Sequence, residues 1–127
     1  HVHNNYMTKS EINLLLATSG IELSVEANSF SRIGGTSKLV FGNVALLNLY
    51  IKAHNNVLNN KNEVLVGTMN VKPVLDEIFF VVEDTRKIIL SCKITKDGKI
   101  YVNGNNITGE AYLFISAAFE VERGMIA

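Results

Sequence analysis

The sequence has 127 residues, 47% hydrophobic and 19% charged, with twelve basic and twelve acidic side chains and a formal net charge of zero. That is the size of one domain with enough apolar material for a core, which excludes a disordered chain. Neutrality excludes nucleic-acid binding driven by phosphate neutralisation, which needs a basic surplus, and no apolar run approaches the roughly 20 residues that span a bilayer. Fifteen asparagines stand against one proline, one cysteine and no tryptophan. Asparagine suits turns and loops and offers hydrogen-bond donors and acceptors without charge. A single cysteine excludes an internal disulfide framework. The first residue is His1 rather than methionine, so the chain reads as a fragment of something longer.

Residues 1–20 differ from the rest. Thr8 reads as a helix N-cap with Glu11 at the capping-box spacing, and Met7 and Ile12 occupy the positions of a hydrophobic staple. Ile12, Leu15 and Leu16 share one helical face, and Gly20 supplies a stop. A helix of about ten residues is unstable alone in water, so its apolar stripe needs a partner. From Ile21 the period changes to two, with Ile21, Leu23, Val25 and Ala27 alternating with polar residues. Gly34-Gly35 reads as a break. Leu39-Val40-Phe41 then leads into a long extended run with Ala45, Leu47, Leu49, Ile51 and Ala53 on one face and Val44, Leu46, Asn48, Tyr50 and Lys52 on the other.

Residues 54–62 carry five asparagines and read as a loop. Strands follow at 63–69 and 77–82, with a turn at Glu83-Asp84-Thr85. Residues 88–95 alternate and return, through Lys96-Asp97-Gly98-Lys99, in Ile100-Tyr101-Val102; Asp-Gly there predicts a type I′ hairpin with positive φ at both residues. After a turn at residues 103–106, the closing strand sets Ala111, Leu113, Ile115, Ala117, Phe119 and Val121 on one parity. Seven or eight strands with short connections predict a mainly β fold, an antiparallel β-sandwich or jelly-roll-like head over residues 21–127, preceded by a stem segment with a short helix over 1–20.

Reactive groups are few. Cys92 falls on an apolar parity and reads as a buried structural thiol. Neither a Gly-x-Ser-x-Gly elbow, a phosphate-binding glycine loop nor a Cys-x-x-Cys pair occurs. Asp76-Glu77 and Glu83-Asp84 are sequence neighbours, which point to opposite faces of an extended chain, so they read as solvated turn charges. Asn106-Ile107-Thr108 matches a glycosylation acceptor, a triplet common by chance in an asparagine-rich chain. The expectation is binding rather than catalysis. Candidate ligand contacts are His54, Asn55 and Asn56, the second Asn-rich loop at 103–106, Asp84, Arg86, and the Tyr112 ring. His1 and His3, at i and i+2, point the same way on an extended chain and can converge on one transition-metal ion; on a threefold axis the pair would supply six imidazoles.

His1-Val2-His3-Asn4-Asn5-Tyr6-Met7-Thr8-Lys9-Ser10-Glu11-Ile12 resembles a stem motif of bacteriophage tail-fibre and baseplate proteins, in which an H-x-H pair precedes a tyrosine, T-K-S-E-I and a leucine-rich stretch. Three later segments are similar to parts of phage receptor-binding heads: Phe41-Gly42-Asn43-Val44, Val66-Gly67-Thr68-Met69 with Lys72-Pro73, and the hairpin from Ile94 to Val102. The chain departs from that pattern at Asn70, where a proline is usual, and in running on through residues 122–127. The resemblance implies a homotrimer packed through Ile12, Leu15 and Leu16, with no required cofactor but a metal ion on the trimer axis at His1 and His3. It also implies a place in the virion and non-covalent attachment to a host cell-surface saccharide. Expected partners are that saccharide and other tail or baseplate proteins, with no nucleic acid and no membrane. The alternative is a structural connector that docks another phage protein through the face bearing Val44, Leu46 and Tyr50.

Overall fold

The computed structural model describes Lys9 and residues 19–122. Period-two alternation becomes strand almost throughout: β1 (Ser19–Gly20), β2 (Leu23–Val25), β3 (Phe30–Val40), β4 (Val44–Ala53), β5 (Glu63–Met69), β6 (Glu77–Glu83), β7 (Ile88–Ile94), β8 (Lys99–Asn103) and β9 (Ala111–Glu120). All nine join one antiparallel sheet in the order β1-β3-β4-β9-β6-β7-β8-β5-β2. The protein is therefore mainly β, as its alternation predicts, with a single continuous sheet that curls until it is nearly closed.

Both ends of that order come from one stretch of chain. Residues 19 and 20 pair with β3, and residues 23–25 pair with β5. Between them Ile21 N–H donates to Ser37 O, and Ser37 Oγ donates back to Ile21 O. Glu22 N–H donates to Asn70 Oδ1, and Asn70 N–H donates to Glu22 O. One interrupted strand thus forms the seam, which leaves little backbone edge unpaired.

Inward parity builds the core. Ala45, Leu47, Leu49, Ile51 and Ala53 of β4 face Ala111, Leu113, Ile115, Ala117 and Phe119 of β9 in register, all buried. Val81, Leu90, Cys92, Ile94, Ile100 and Val102 complete the inner wall, with Phe30, Leu58 and Val66 filling it. Among the described residues no buried side-chain nitrogen or oxygen lacks a hydrogen-bond partner.

Four expectations change. The stem helix with Ile12, Leu15 and Leu16, and the metal pair His1 and His3, lie outside the described residues, Lys9 being the one described residue of that helix and helical; Gly20, expected as a helix stop, is strand. Gly34-Gly35 does not break the chain but sits inside β3, beside a bulge where the register shifts between Arg32 and Gly34. Gly35 has φ +94, and a Cβ there would stand 2.0 Å from the Asn48 carbonyl oxygen, so this strand position demands glycine. In the β7–β8 turn, positive φ occurs at Gly98 alone. Thr95 N–H donates to Lys99 O and Gly98 N–H to Thr95 O, which makes a three-residue loop closed by a left-handed glycine instead of a type I′ turn. Finally Glu83 ends β6 and is fully buried, not a solvated turn charge.

Candidate binding surface

The loops that carry the expected ligand contacts meet at one end of the barrel, but their polar atoms are turned on one another. Asn56 N–H donates to Gly109 O at 3.0 Å, and Gly109 N–H donates to Asn56 Oδ1 at 2.8 Å. The His54 ring nitrogens lie 2.7 Å from Ser31 Oγ and 3.3 Å from Asn28 O. Arg86 donates to Glu83 Oε1 at 3.1 Å, to Glu110 O at 3.0 Å and to Thr108 O. Asp84 pairs with Lys87 at 2.6 Å. The Tyr112 ring lies 6.2 Å from that of Tyr50, with Lys52 Nζ 5.9 Å from its centroid. Asn55 is exposed and makes no side-chain hydrogen bond among the described residues. Apart from Asn55, the Tyr112 ring and the exposed Asp84–Lys87 pair, these groups hold the fold together.

Glu83 is their hub. Its carboxylate accepts from the backbone N–H groups of Thr85 at 2.9 Å, Arg86 at 2.8 Å and Tyr112 at 3.0 Å, and from the Arg86 guanidinium. Burial pushes its pKa up, but these donors more than offset that and hold it below the ordinary glutamate value. The sequence concealed this because β6 runs one residue further than its apolar run, so Glu83 follows Val81 inward.

The outer wall is different. In β6 the residues Ile78, Phe80 and Val82 point outward, and Ile78 and Phe80 are 71% and 78% exposed. Register carries an apolar row across five strands: Gly34 beside Tyr50, Tyr50 beside Phe114, Phe114 beside Val82, and Val82 beside Ile89. The Tyr50 and Phe114 rings stack with centroids 4.2 Å apart and planes 9° from parallel. A second row, two residues along each strand, is polar except at Phe80. Asn48 is opposite Ser116, with Ser116 Oγ donating to Asn48 Oδ1 at 3.1 Å, and Phe80 is opposite Ser91.

Two open clefts straddle these rows. One, of about 330 Å³, is lined by Phe80, Ile89, Leu90, Ser91, Asn103 and Asn105. The other, of about 350 Å³, lies over Gly34, Asn48, Tyr50, Phe114 and Ser116. In the first cleft Asn103 Oδ1 accepts from Asn105 N–H, while Asn103 Nδ2, the Asn105 side-chain amide and Ser91 Oγ have no partner among the described residues. Neutral donors and acceptors are therefore free beside an exposed aromatic ring.

No protein-family model and no curated protein matches the chain. The site must be read from its own geometry. Among the described residues no three His, Cys, Asp or Glu side chains converge as a metal site. Cys92 is buried, and desolvation pushes its thiol up to about 12, so it stays protonated at neutral pH. Phe80, Ile89 and Ser91 were not singled out by sequence, although outward parity in two successive hairpins aligns Phe80, Ser91 and Asn103. Apolar residues on both parities of β6 were the available signal, because a strand with two apolar faces needs cover on both.

Proposed function

We propose that the chain is the head of a bacteriophage tail-fibre or baseplate protein, homotrimeric through a stem helix at Ile12, Leu15 and Leu16, that attaches non-covalently to a host cell-surface saccharide. The observation that carries this reading is the cleft at Phe80, Ser91, Asn103 and Asn105. A sugar ring offers an apolar C–H face and a rim of neutral hydroxyls. An exposed phenyl ring receives the first, and uncommitted amides and a hydroxyl receive the second. The groups first expected to bind, such as Arg86 and Asn56, serve to fix the loops at the barrel end.

Calorimetric titration with host cell-wall saccharides tests the reading. Saturable binding is expected, weakened about tenfold by Phe80→Ala, since ring stacking contributes about that much. Phe80 is so exposed that melting should be unchanged. Failure of every saccharide to bind the intact protein would overturn the proposal. Light scattering should give about 42 kDa, three times the 14.0 kDa chain; a folded monomer of 14.0 kDa would remove the trimer.

One observation favours a connector instead. Ile78, Phe80 and Ile89 form an exposed apolar group on adjacent strands, which suits protein docking. On that reading a purified neighbouring tail protein binds, Ile78→Lys abolishes its binding, and no saccharide binds.

A further inference from the structure

We infer that the outer wall takes a linear, uncharged oligosaccharide laid across the strands, from the Gly34 cleft to the Asn105 cleft, and not a single sugar in one of them. This rests on the saccharide reading above and specifies its ligand. Three features of the wall lead to it.

The two clefts lie on the same rows. Each has an apolar member from the first row (Tyr50 and Phe114 in one, Ile89 in the other) and polar members from the second (Asn48 and Ser116 in one, Ser91 and Asn103 in the other). Between them the apolar row is unbroken, since Val82 stands in register with both Phe114 and Ile89. From β3 to β7 the row runs four strand spacings around the curled wall, an arc of about 19 Å, which is longer than one sugar ring needs and calls for an unbranched ligand that bends with the sheet.

The rows also carry no formal charge. Charged side chains flank the rows without entering them: Arg32 donates to Gly35 O at 3.3 Å beside the far cleft, Glu63 is in register with Asn103 and paired with Lys93 at 3.6 Å, and Lys52 is paired with Glu110 at 2.9 Å. A charged glycan would meet charges only at the two ends of the track, whereas neutral hydroxyls find the Asn48–Ser116 pair at one end and Ser91 and Asn103 at the other.

Gly34 leaves a notch beside Tyr50. Its neighbour Gly35 is forced by backbone geometry, but Gly34 is not: a Cβ there would meet Tyr50 Cβ at 3.7 Å, an ordinary contact. The missing side chain keeps the far cleft open without being required by the backbone.

Gly34→Leu therefore projects a side chain toward the far cleft from a Cβ that meets no clash, and is the discriminating variant. A series of neutral oligosaccharides of one to six rings, of the sugar that binds best in a panel, is titrated into the intact protein and this variant. Affinity is expected to rise at least about tenfold from one ring to the length that reaches Gly34, and Gly34→Leu should remove that gain while leaving the single ring unaffected. Amide resonances of Gly34 and Asn105 should both shift with the long ligand and only one of them with the short. Equal affinity for short and long chains, or a Gly34→Leu variant that binds the long chain as well as the parent, overturns the inference and leaves saccharide binding standing. No binding by any member of the panel overturns the saccharide reading itself, and this inference with it.

Discussion

Glu83 ties the end of β6, the 84–87 turn and the start of β9 to a single carboxylate, and through Arg86 it also orders the carbonyls of Thr108 and Glu110. Glu83→Ala should cost about 3 kcal/mol or more, because it orphans several backbone donors and leaves the Arg86 guanidinium without its acid. The pH dependence has a definite sign. The native pKa lies below the ordinary glutamate value, so the stabilisation is fully present above that value and is lost as pH falls through the native one. Melting temperature should hold steady down to about pH 5 and drop below about 4.3, more steeply than in Glu83→Gln. A Glu83→Gln variant with the same acid limb as the parent would remove this account. Sequence could not reveal Glu83, since its burial depends on where β6 stops, and a lone acid beside Asp84 carries no mark of its partners. Gly35 was equally hidden: paired glycines signal a turn more often than a strand interior. Gly35→Ala should destabilise by about 2 kcal/mol or more through its φ of +94 and the Asn48 carbonyl, measured by denaturant unfolding.

At the level of strands, β9 is the keystone. It pairs with β4 over ten residues and with β6 around Ile115, so its inward side chains touch both halves of the wall. Ile115→Ala should cost about 3 kcal/mol as a core cavity, with the denaturant slope unchanged. Alternation made this strand, β4, β7 and β8 readable, because one buried face imposes period two. The β6–β7 and β7–β8 neighbours were readable too, being joined by short connections, so Phe80, Ser91 and Asn103 could have been brought together from sequence. The far cleft could not: it depends on Tyr50 meeting Phe114 across more than sixty residues, and on a bulge in β3 that sets Gly34 opposite Tyr50. Free polar atoms were the other missing signal. Asparagine content points to residues 54–62 and 103–106 alike, yet in the first Asn56 and Asn60 hold backbone, while in the second Asn103 and Asn105 keep amides to spare.

At the scale of the molecule, the nine strands of the described residues act as a ring fastened by the stretch from Ser19 to Val25. Its two pairings involve two and three residues, against ten between β4 and β9. Few hydrogen bonds hold it, so amide hydrogens of residues 20–25 should exchange well before those of β4 and β9; equal protection would show a barrel that opens only as a unit. The fastening has a consequence for concentrated solutions. When it lifts, β3 and β5 each lose a neighbour along the same opening, and the gap matches one strand, the very segment that every other copy also carries. Two molecules can then trade these segments and close each other's barrels, restoring every native pairing. Strand exchange should therefore begin at this seam, and its products would be dimers or chains built entirely of natively folded heads.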